Sequence, residues 1–129
     1  MSWIFKDFVS DRGENDIRRW LNTLPKKVVF KIETRLKYLQ EVDQLKFPYV
    51  EKWTGEEDLF EVRVVFSGVQ YRILGCYGQE RTDFLLLIGA VEKDWQLEPK
   101  NAVKIAKSRM QLISNRSNFC EHFEKEKDN

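Results

Sequence analysis

Two segments in the middle of the chain show the alternation of apolar and polar positions that is typical of β-strands, and a third, more continuously apolar segment follows them. They span Leu59–Phe66, Val69–Tyr77 and Asp83–Val91, and the first two are joined by Ser67-Gly68. The third contains five consecutive apolar residues, 84–88, as expected for a central strand that is covered on both faces. The pattern therefore predicts an antiparallel meander at the centre of the fold.

Helical periodicity dominates the region before these strands. After a short predicted strand, Trp3–Phe8, the sequence favours a helix over Asp16–Leu24 and a second helix that begins at Pro25. The second helix carries one apolar stripe at helical spacing, formed by Val29, Ile32, Leu36 and Leu39. We expect this hairpin, Asp16–Val42, to lay its stripe on the sheet, and residues 43–58 to be irregular.

A last helix is predicted from Pro99 to Ser114, apolar on one side and basic on the other. Its inward residues are Ala102, Ala106, Met110 and Ile113, and its outward residues are Lys100, Lys104 and Lys107. The following residues, 115–129, are polar and lack periodicity, so we expect a loose or partly helical tail. The chain is thus predicted to be one α+β domain, residues 1–114, with a polar tail. In this fold an N-terminal strand and a helical hairpin pack on a small, twisted, mainly antiparallel sheet, and a C-terminal helix follows.

The turn at Ser67-Gly68 sets the register of the first two central strands. If it is a two-residue turn, residues pair when their numbers sum to 135, and the apolar residues then share one face. On the other face, which we expect to be exposed to solvent, Arg63 lies directly opposite Arg72. Like charges so placed destabilise a strand pair by up to about 1 kcal/mol. A phosphate-binding site would explain them; alternatively, Glu61 and neighbouring acids neutralise the pair structurally.

The composition restricts the available chemistry. His122 is the only histidine, and the two cysteines, Cys76 and Cys120, lack the spacing of a metal motif. These counts exclude a Ser-His-Asp triad and a histidine-based zinc site, so any catalysis must use carboxylates, Tyr, Lys and Arg. We predict no metal and no cofactor, and expect Cys76 to fill the core.

Hydrophobic residues make up 42% of the 129-residue chain, which is enough to bury a core. No apolar run approaches the roughly 20 residues that span a membrane, and the first residues lack the pattern of a signal peptide. We therefore expect a cytoplasmic protein that has no contact with a membrane.

The charges are unevenly distributed, although the net charge is only +1. Lys100, Lys104, Lys107 and Arg109 lie between Pro99 and Ser114 without an acidic residue among them. Such a run fits a surface for nucleic acid or an acidic partner, and it fits a solvated helix face equally well.

Four short motifs follow one another along the predicted strands and up to the last helix. They are Leu59 to Arg63 (LFEVR), Tyr71 to Leu74 (YRIL), Leu85 to Gly89 (LLLIG), and Glu92-Lys93 with the later Pro99. Their order and spacing resemble the RelE/ParE toxin superfamily, in particular its phage-derived HigB-like branch. The likeness spans about Trp3 to Met110.

The resemblance implies a toxin of a type II toxin–antitoxin pair. Most characterised members cleave messenger RNA in the ribosomal A site, and an antitoxin, often with a helix-turn-helix domain, inhibits them. Matched position by position, Arg63, Arg72 and Lys93 correspond to the basic site residues, and Glu61 to the acid of the E-x-R motif. In RNA cleavage such cations would stabilise the phosphorane charge, and Glu61 would accept a proton or orient Arg63.

The sequence departs from the family pattern before the last helix. Many ribonuclease members carry a Tyr or His there, whereas residues 94–98 contain neither. Glu92 precedes Lys93 where a basic pair is expected, and Glu98 precedes Pro99 where the family has Thr. Trp95 is a candidate to stack on an RNA base; alternatively, it caps the edge of the core.

Three functions follow from these observations. The first is a messenger-RNA endoribonuclease with Lys100, Lys104, Lys107 and Trp95 as RNA contacts. The second is a ParE-like inhibitor of DNA gyrase, and the third is an inactive relative that binds an antitoxin or RNA. Convergence of Arg63, Arg72 and Lys93 on an exposed face would favour the first. Divergence of these side chains, or burial of both arginines by Glu61, would favour the others. An antitoxin is expected to cover a groove near Arg72 and Lys93.

Overall fold

Seven strands and three helices make up the computed structural model, which describes residues 2–115 and 120–122. The helices are α1 (Asp16–Asn22), α2 (Lys26–Gln40) and α3 (Ala102–Asn115). The strands are β1 (Ile4–Phe8), β2 (Val50–Lys52), β3 (Phe60–Phe66), β4 (Val69–Tyr77), β5 (Asp83–Lys93), β6 (Gln96–Glu98) and β7 (Cys120–His122). They form one sheet in the order β2-β3-β4-β5-β1-β7, with β6 paired to β5. Among the strands of the described residues, only β1 and β5 pair in parallel, so the predicted α+β class with a mainly antiparallel sheet is confirmed.

The helical hairpin covers one face of the sheet. Asn15 caps α1 by accepting a hydrogen bond from the backbone N–H of Arg18 at 2.9 Å, and α1 then buries Ile17 and Leu21. In α2 the buried residues are Val28, Ile32, Leu36 and Leu39. Val29, which was predicted in this stripe, is only partly buried at its margin. The predicted hairpin over a meander is therefore confirmed, with Val28 added to the stripe.

Helix α3 covers the opposite face, so that the central strand β5 is enclosed on both sides. Phe84 and Leu86 belong to the core under the hairpin, whereas Leu85 and Leu87 belong to the core under α3. Cys76 is buried in the second core, as expected. Burial of β5 on both faces thus explains its continuous apolar run, as predicted from the sequence.

Arg109 of α3 ties the two layers together. On one edge of β5, residues 83–86 pair with β1 and residues 91–93 pair with β6. Within the part of the chain that the structure describes, the segment between them has no strand partner on that edge. Arg109 Nη1 donates to the carbonyl of Leu87 in this gap at 2.7 Å, and its other terminal nitrogen pairs with Asp16. This side chain is therefore turned inward and is not part of the exposed basic face.

Three short strands were not predicted. β2 lies within residues 43–58, which were expected to be irregular, and β7 lies within the expected tail, where it pairs with β1. β6 pairs with the end of β5, which extends β5 to Lys93. Each has only three residues, too few to show periodicity. The last helix begins at Ala102 and not at Pro99. Within the described residues, no helix is long and apolar enough to cross a membrane.

Candidate functional site

The predicted register of the central hairpin is confirmed at every position. β3 and β4 pair from Phe60↔Gly75 to Phe66↔Val69, and Arg63 is directly opposite Arg72. Ser67 and Gly68 both have positive φ, 50° and 78°, as a two-residue hairpin turn requires. The two arginines therefore share the sheet face that lies away from the helical hairpin.

Arg72 is buried, which corrects the prediction that it lies exposed on the solvent face. Only 2% of the residue is accessible. Its Nε lies 2.7 Å from Glu61 Oε1, and its Nη2 lies 3.4 Å from Glu92 Oε1 and donates to Gln70 Oε1 at 2.9 Å. Because β4 has β3 and β5 on its two sides, long side chains from both neighbours close over Arg72.

Arg63 keeps more contact with solvent because β3 is closer to the edge of the sheet. Its side chain is 32% exposed, and its Nη1 contacts Glu51 Oε2 at 2.5 Å. Glu51 is on β2, opposite Glu61. Sequence reasoning missed Glu51 because β2 gives no periodic signal; only the ladder between β2 and β3 brings it to the site.

The backbone of Arg63 is held firmly in place. Its N–H donates to the carbonyl of Tyr49 at 2.8 Å, and its carbonyl accepts a hydrogen bond from Arg35 Nη1 at 2.5 Å. The Arg35 guanidinium also lies 4.2 Å from the centre of the Tyr49 ring, a cation–π contact. Helix α2 and the segment before β2 thus fix the position from which the Arg63 side chain extends.

Five side chains together form what we call the arginine–glutamate cluster: Glu51, Glu61, Arg63, Arg72 and Glu92. Three carboxylates face two guanidinium groups, so the cluster carries a net charge of −1 when all are ionised. The like charges of Arg63 and Arg72 are therefore neutralised within the sheet. This is the structural alternative considered above, although only Arg72, which Glu61 contacts at 2.7 Å, is buried, and Arg63 stays partly exposed.

Glu61 is the member whose ionisation is perturbed. Burial raises the pKa of this carboxyl above its ordinary value, and the neighbouring carboxylates of Glu51 and Glu92 add to the rise. Arg72 and Arg63 oppose it by favouring the charged form, but burial is the larger effect. A carboxyl group with a raised pKa between two guanidinium groups is suited to proton transfer closer to neutral pH.

Lys93 does not join this cluster. Ala90 is the partner of Arg72 and Glu92 the partner of Gln70, so these residues share the cluster's face. Side chains alternate along a strand, which directs Lys93 to the other side of β5, where it is exposed. Among the described residues, no carboxylate lies within ion-pair distance of Lys93. The structure therefore does not show the expected convergence of Arg63, Arg72 and Lys93.

Trp95 stands at the tip of the turn between β5 and β6. Asp94 and Trp95 both have positive φ, 50° and 67°, a conformation that Asn and Gly adopt more easily. Trp95 is 94% exposed, so the alternative in which it caps the core is wrong. A large apolar ring held in solvent by an unfavourable backbone suggests a contact with another molecule.

The predicted basic residues of the last helix are all on the surface. Lys100, Lys104 and Lys107 are exposed, and α3 packs on the same sheet face as the cluster. Lys107 Nζ lies 3.2 Å from Glu56, so its charge is partly neutralised.

Replacement of Arg72 should destabilise the protein. We expect Arg72→Ala to lower the free energy of unfolding by about 3 kcal/mol, because it leaves Glu61 without its buried partner. Arg63→Ala, which removes a partly exposed side chain, should lower it by no more than about 1 kcal/mol. Urea denaturation measures both, and equal losses would contradict the different burial of the two arginines.

The pKa of Glu61 can be followed by carbon-13 NMR titration of its carboxyl group. Glu92→Gln removes a like charge that raises this pKa, so the Glu61 pKa should fall. Arg72→Gln removes an opposite charge that lowers it, so the pKa should rise further. Glu57→Gln, at an exposed position outside the cluster, is the matched control and should leave the pKa unchanged. A Glu61 pKa of about 4.5 or below in the parent chain would show that burial is not the dominant effect.

The fold and part of the sequence match known proteins. The structure matches E. coli toxin RelE, in the free state of a double arginine-to-alanine mutant, with a TM-score of 0.56 and 17% sequence identity. The match covers 84% of this chain and 98% of that chain, and at this identity it shows the fold alone. No curated protein matches significantly by sequence. A family model described as phage-derived protein Gp49-like matches residues 19–111. This chain therefore belongs to the phage-derived Gp49-like family, a family of RelE/ParE-type toxins.

Proposed function

We propose that this chain, as the toxin of a type II toxin–antitoxin pair, arrests translation by cleaving messenger RNA on the ribosome. One observation carries the proposal: Glu61, with its pKa raised by burial, is in contact with Arg72 and near Arg63 on one sheet face. Cleavage by the 2′-hydroxyl requires a proton acceptor beside a cation that binds the phosphate, and Glu61 and the partly exposed Arg63 are suited to these two roles. The activity requires a cytoplasmic location, because ribosomes are there.

The cluster suggests separate roles for its residues. Glu61 would accept the proton of the 2′-hydroxyl as the 2′-oxygen attacks phosphorus. A 2′,3′-cyclic phosphate forms, the bond between phosphorus and the 5′-oxygen of the next nucleotide breaks, and that oxygen takes up a proton from water. Arg63, the more exposed guanidinium, would leave Glu51 and bind the phosphate, for which its planar fork is well suited. Arg72 is too deeply buried to reach a phosphate directly and would act by positioning Glu61.

The surrounding surface offers contacts for the rest of the RNA. Lys104 and Lys107 are on the exposed side of α3, and Lys100 lies just before its first residue. Lys93 lies beside the turn that carries Trp95 and points to the other side of β5. We propose that these lysines bind neighbouring phosphates and that Trp95 stacks on a base. The proposed assignment to the HigB-like branch, with a helix-turn-helix antitoxin, rests on the sequence motifs.

The burial of Arg72 and the surplus carboxylate of the cluster favour a second kind of function, one that does not require the cluster to bind phosphate. A site with net negative charge repels phosphate unless it rearranges. A protein that acts by contact with another protein, as a ParE-like gyrase inhibitor does, or an inactive relative would need no such rearrangement.

Substitutions within the cluster distinguish these functions. If the chain is a nuclease, Glu61→Gln and Arg63→Ala should each reduce messenger-RNA cleavage at least about 100-fold and abolish growth arrest. Arg63→Ala should lower the free energy of unfolding by no more than about 1 kcal/mol. Glu61→Gln keeps a hydrogen-bond acceptor beside Arg72 but loses its charge, so thermal melting must show that this variant is folded. Lys104→Ala should weaken affinity several-fold without abolishing cleavage. Primer extension on cellular messenger RNA after expression gives the cleavage map. Growth arrest by Glu61→Gln equal to that by the parent chain would favour the second function.

Two substitutions of Trp95, one to alanine and one to another aromatic residue, test the stacking contact. Trp95→Ala should weaken RNA binding about 5- to 100-fold, in line with the roughly 1–3 kcal/mol of a base stack, whereas Trp95→Phe should retain most of the affinity. Both should fold normally, because the side chain is almost entirely in solvent. The measurement is fluorescence anisotropy of a labelled single-stranded RNA with the Glu61→Gln chain as background. Unchanged affinity of Trp95→Ala would exclude the stacking contact.

A further inference from the structure

A second surface of the molecule lies on the face opposite the arginine–glutamate cluster, where α2 crosses the end of the β3–β4 hairpin. Phe30 is on the outer side of α2 and is 71% exposed. It borders a groove of about 490 Å³ that is lined by Lys26, Lys27, Phe30, Lys31, Thr34 and Phe66. We call this the Phe30 groove. No functional role was predicted from the sequence for either of the two aromatic residues of the groove, Phe30 and Phe66.

The groove is built by packing between the helix and the hairpin. Lys31 Nζ donates to the carbonyl of Val65 at 2.5 Å and lies 5.8 Å from the centre of the Phe66 ring. These contacts hold the start of α2 at a fixed distance from the hairpin turn. Val69, the partner of Phe66 in the ladder, is 37% exposed and extends the apolar surface beyond the groove.

Positive charge surrounds this apolar surface. Lys26, Lys27 and Lys31 lie within the first two turns of α2, and the first turn contains no acidic residue. Pro25 at the N-cap provides no side-chain hydrogen bond, so the positive end of the helix dipole adds to the charge of the lysines. Among the described residues, none of the three lysines forms an ion pair with a carboxylate. The helix would be more stable with acids at these positions, which points to a role for the lysines outside the monomer.

We infer that the Phe30 groove binds an acidic segment of the antitoxin that inserts one or two apolar side chains between Phe30 and Phe66. The family is one of toxins and thereby implies an antitoxin partner. Charge complementarity identifies the segment as acidic, and the two rings identify its anchor as apolar. The inference rests on this partnership and not on messenger-RNA cleavage, so a chain without nuclease activity could still bind in this way.

The position of the groove distinguishes this partner from RNA. Phe66 shares its face with Val62 and Val64 under the helical hairpin, whereas Arg63 and Arg72 are on the reverse face. An RNA strand held at the cluster would have to cross the sheet to reach Phe30. The antitoxin would thus be anchored away from the cluster. The antitoxin contact near Arg72 and Lys93, which was predicted from the sequence, would need a second segment of the antitoxin.

The test uses the purified product of the reading frame adjacent to this gene, with its affinity for the full chain measured by isothermal titration calorimetry. We expect Phe30→Ser to weaken binding about 10- to 100-fold, the equivalent of one buried Phe side chain. Phe47→Ser is the matched control, because Phe47 is 68% exposed but lies outside the groove. The affinity of this variant for the adjacent gene product should equal that of the parent chain. Thermal melting should show that all variants are folded, since both side chains are largely in solvent.

Salt dependence tests the charged part of the inference. Lys27→Glu should weaken binding about 5- to 10-fold in 50 mM salt, and the loss should shrink below about twofold in 1 M salt, where charges are screened within about 3 Å. The loss caused by Phe30→Ser should persist at both salt concentrations, because apolar burial is not screened.

Three results would overturn the inference. Failure of the parent chain to bind the adjacent gene product would remove the partnership on which it rests. Binding that is unaffected by Phe30→Ser and Lys27→Glu would place the antitoxin elsewhere on the molecule. Loss of affinity for a single-stranded RNA oligonucleotide in Phe30→Ser, with antitoxin binding unchanged, would assign the groove to RNA.

Discussion

The ion pair between Arg72 and Glu61 is the interaction on which the site depends. A guanidinium group in the middle of a sheet loses most of its hydration, and its burial is tolerated only if counter-charges and hydrogen-bond acceptors replace the water. β3 supplies Glu61, β5 supplies Glu92, and the side chain and carbonyl of β4 itself supply further acceptors. A shift of one residue in either ladder would send these carboxylates to the apolar face, so the ion pair and the strand register require one another.

The same constraint explains why Arg63 and Arg72 differ in chemistry despite their symmetric placement. They are direct partners in the ladder, but Arg72 is enclosed by strands on both sides, whereas Arg63 has only the short β2 beyond it. Glu51 on β2 holds Arg63 by a partly exposed contact. Exposed ion pairs are worth little, so a phosphate can compete for Arg63 far more easily than for Arg72.

The sheet also separates two kinds of recognition. The cluster, α3 and the turn that carries Trp95 form a polar side with exposed lysines and one exposed aromatic ring. The start of α2 and the tip of the β3–β4 hairpin form an apolar groove with a basic margin on the other side. β5 is buried on both faces and lies between these surfaces, which allows the proposed substrate and the inferred antitoxin segment to bind without sharing side chains.

The sequence by itself determined the features that depend on periodicity. Alternation and the Ser67-Gly68 turn determined the register of β3 and β4 to the residue, and the apolar run 84–88 determined that β5 is covered on both faces. Helical spacing determined the hairpin, although it assigned Val29, which is only partly buried, to the apolar stripe and missed Val28, which is buried. These features are local, because each depends on residues close together in the chain.

Tertiary structure alone decided the environment of the site. Whether Arg72 is exposed depends on side chains from β3 and β5 that close over it, and Glu51 reaches Arg63 only because β2, too short to show a pattern, pairs with β3. The side of β5 on which Lys93 lies, the exposure of Trp95 and the inward turn of Arg109 depend likewise on contacts between distant segments. Burial and ion pairing are properties of the assembled sheet, and residue spacing along the chain does not encode them.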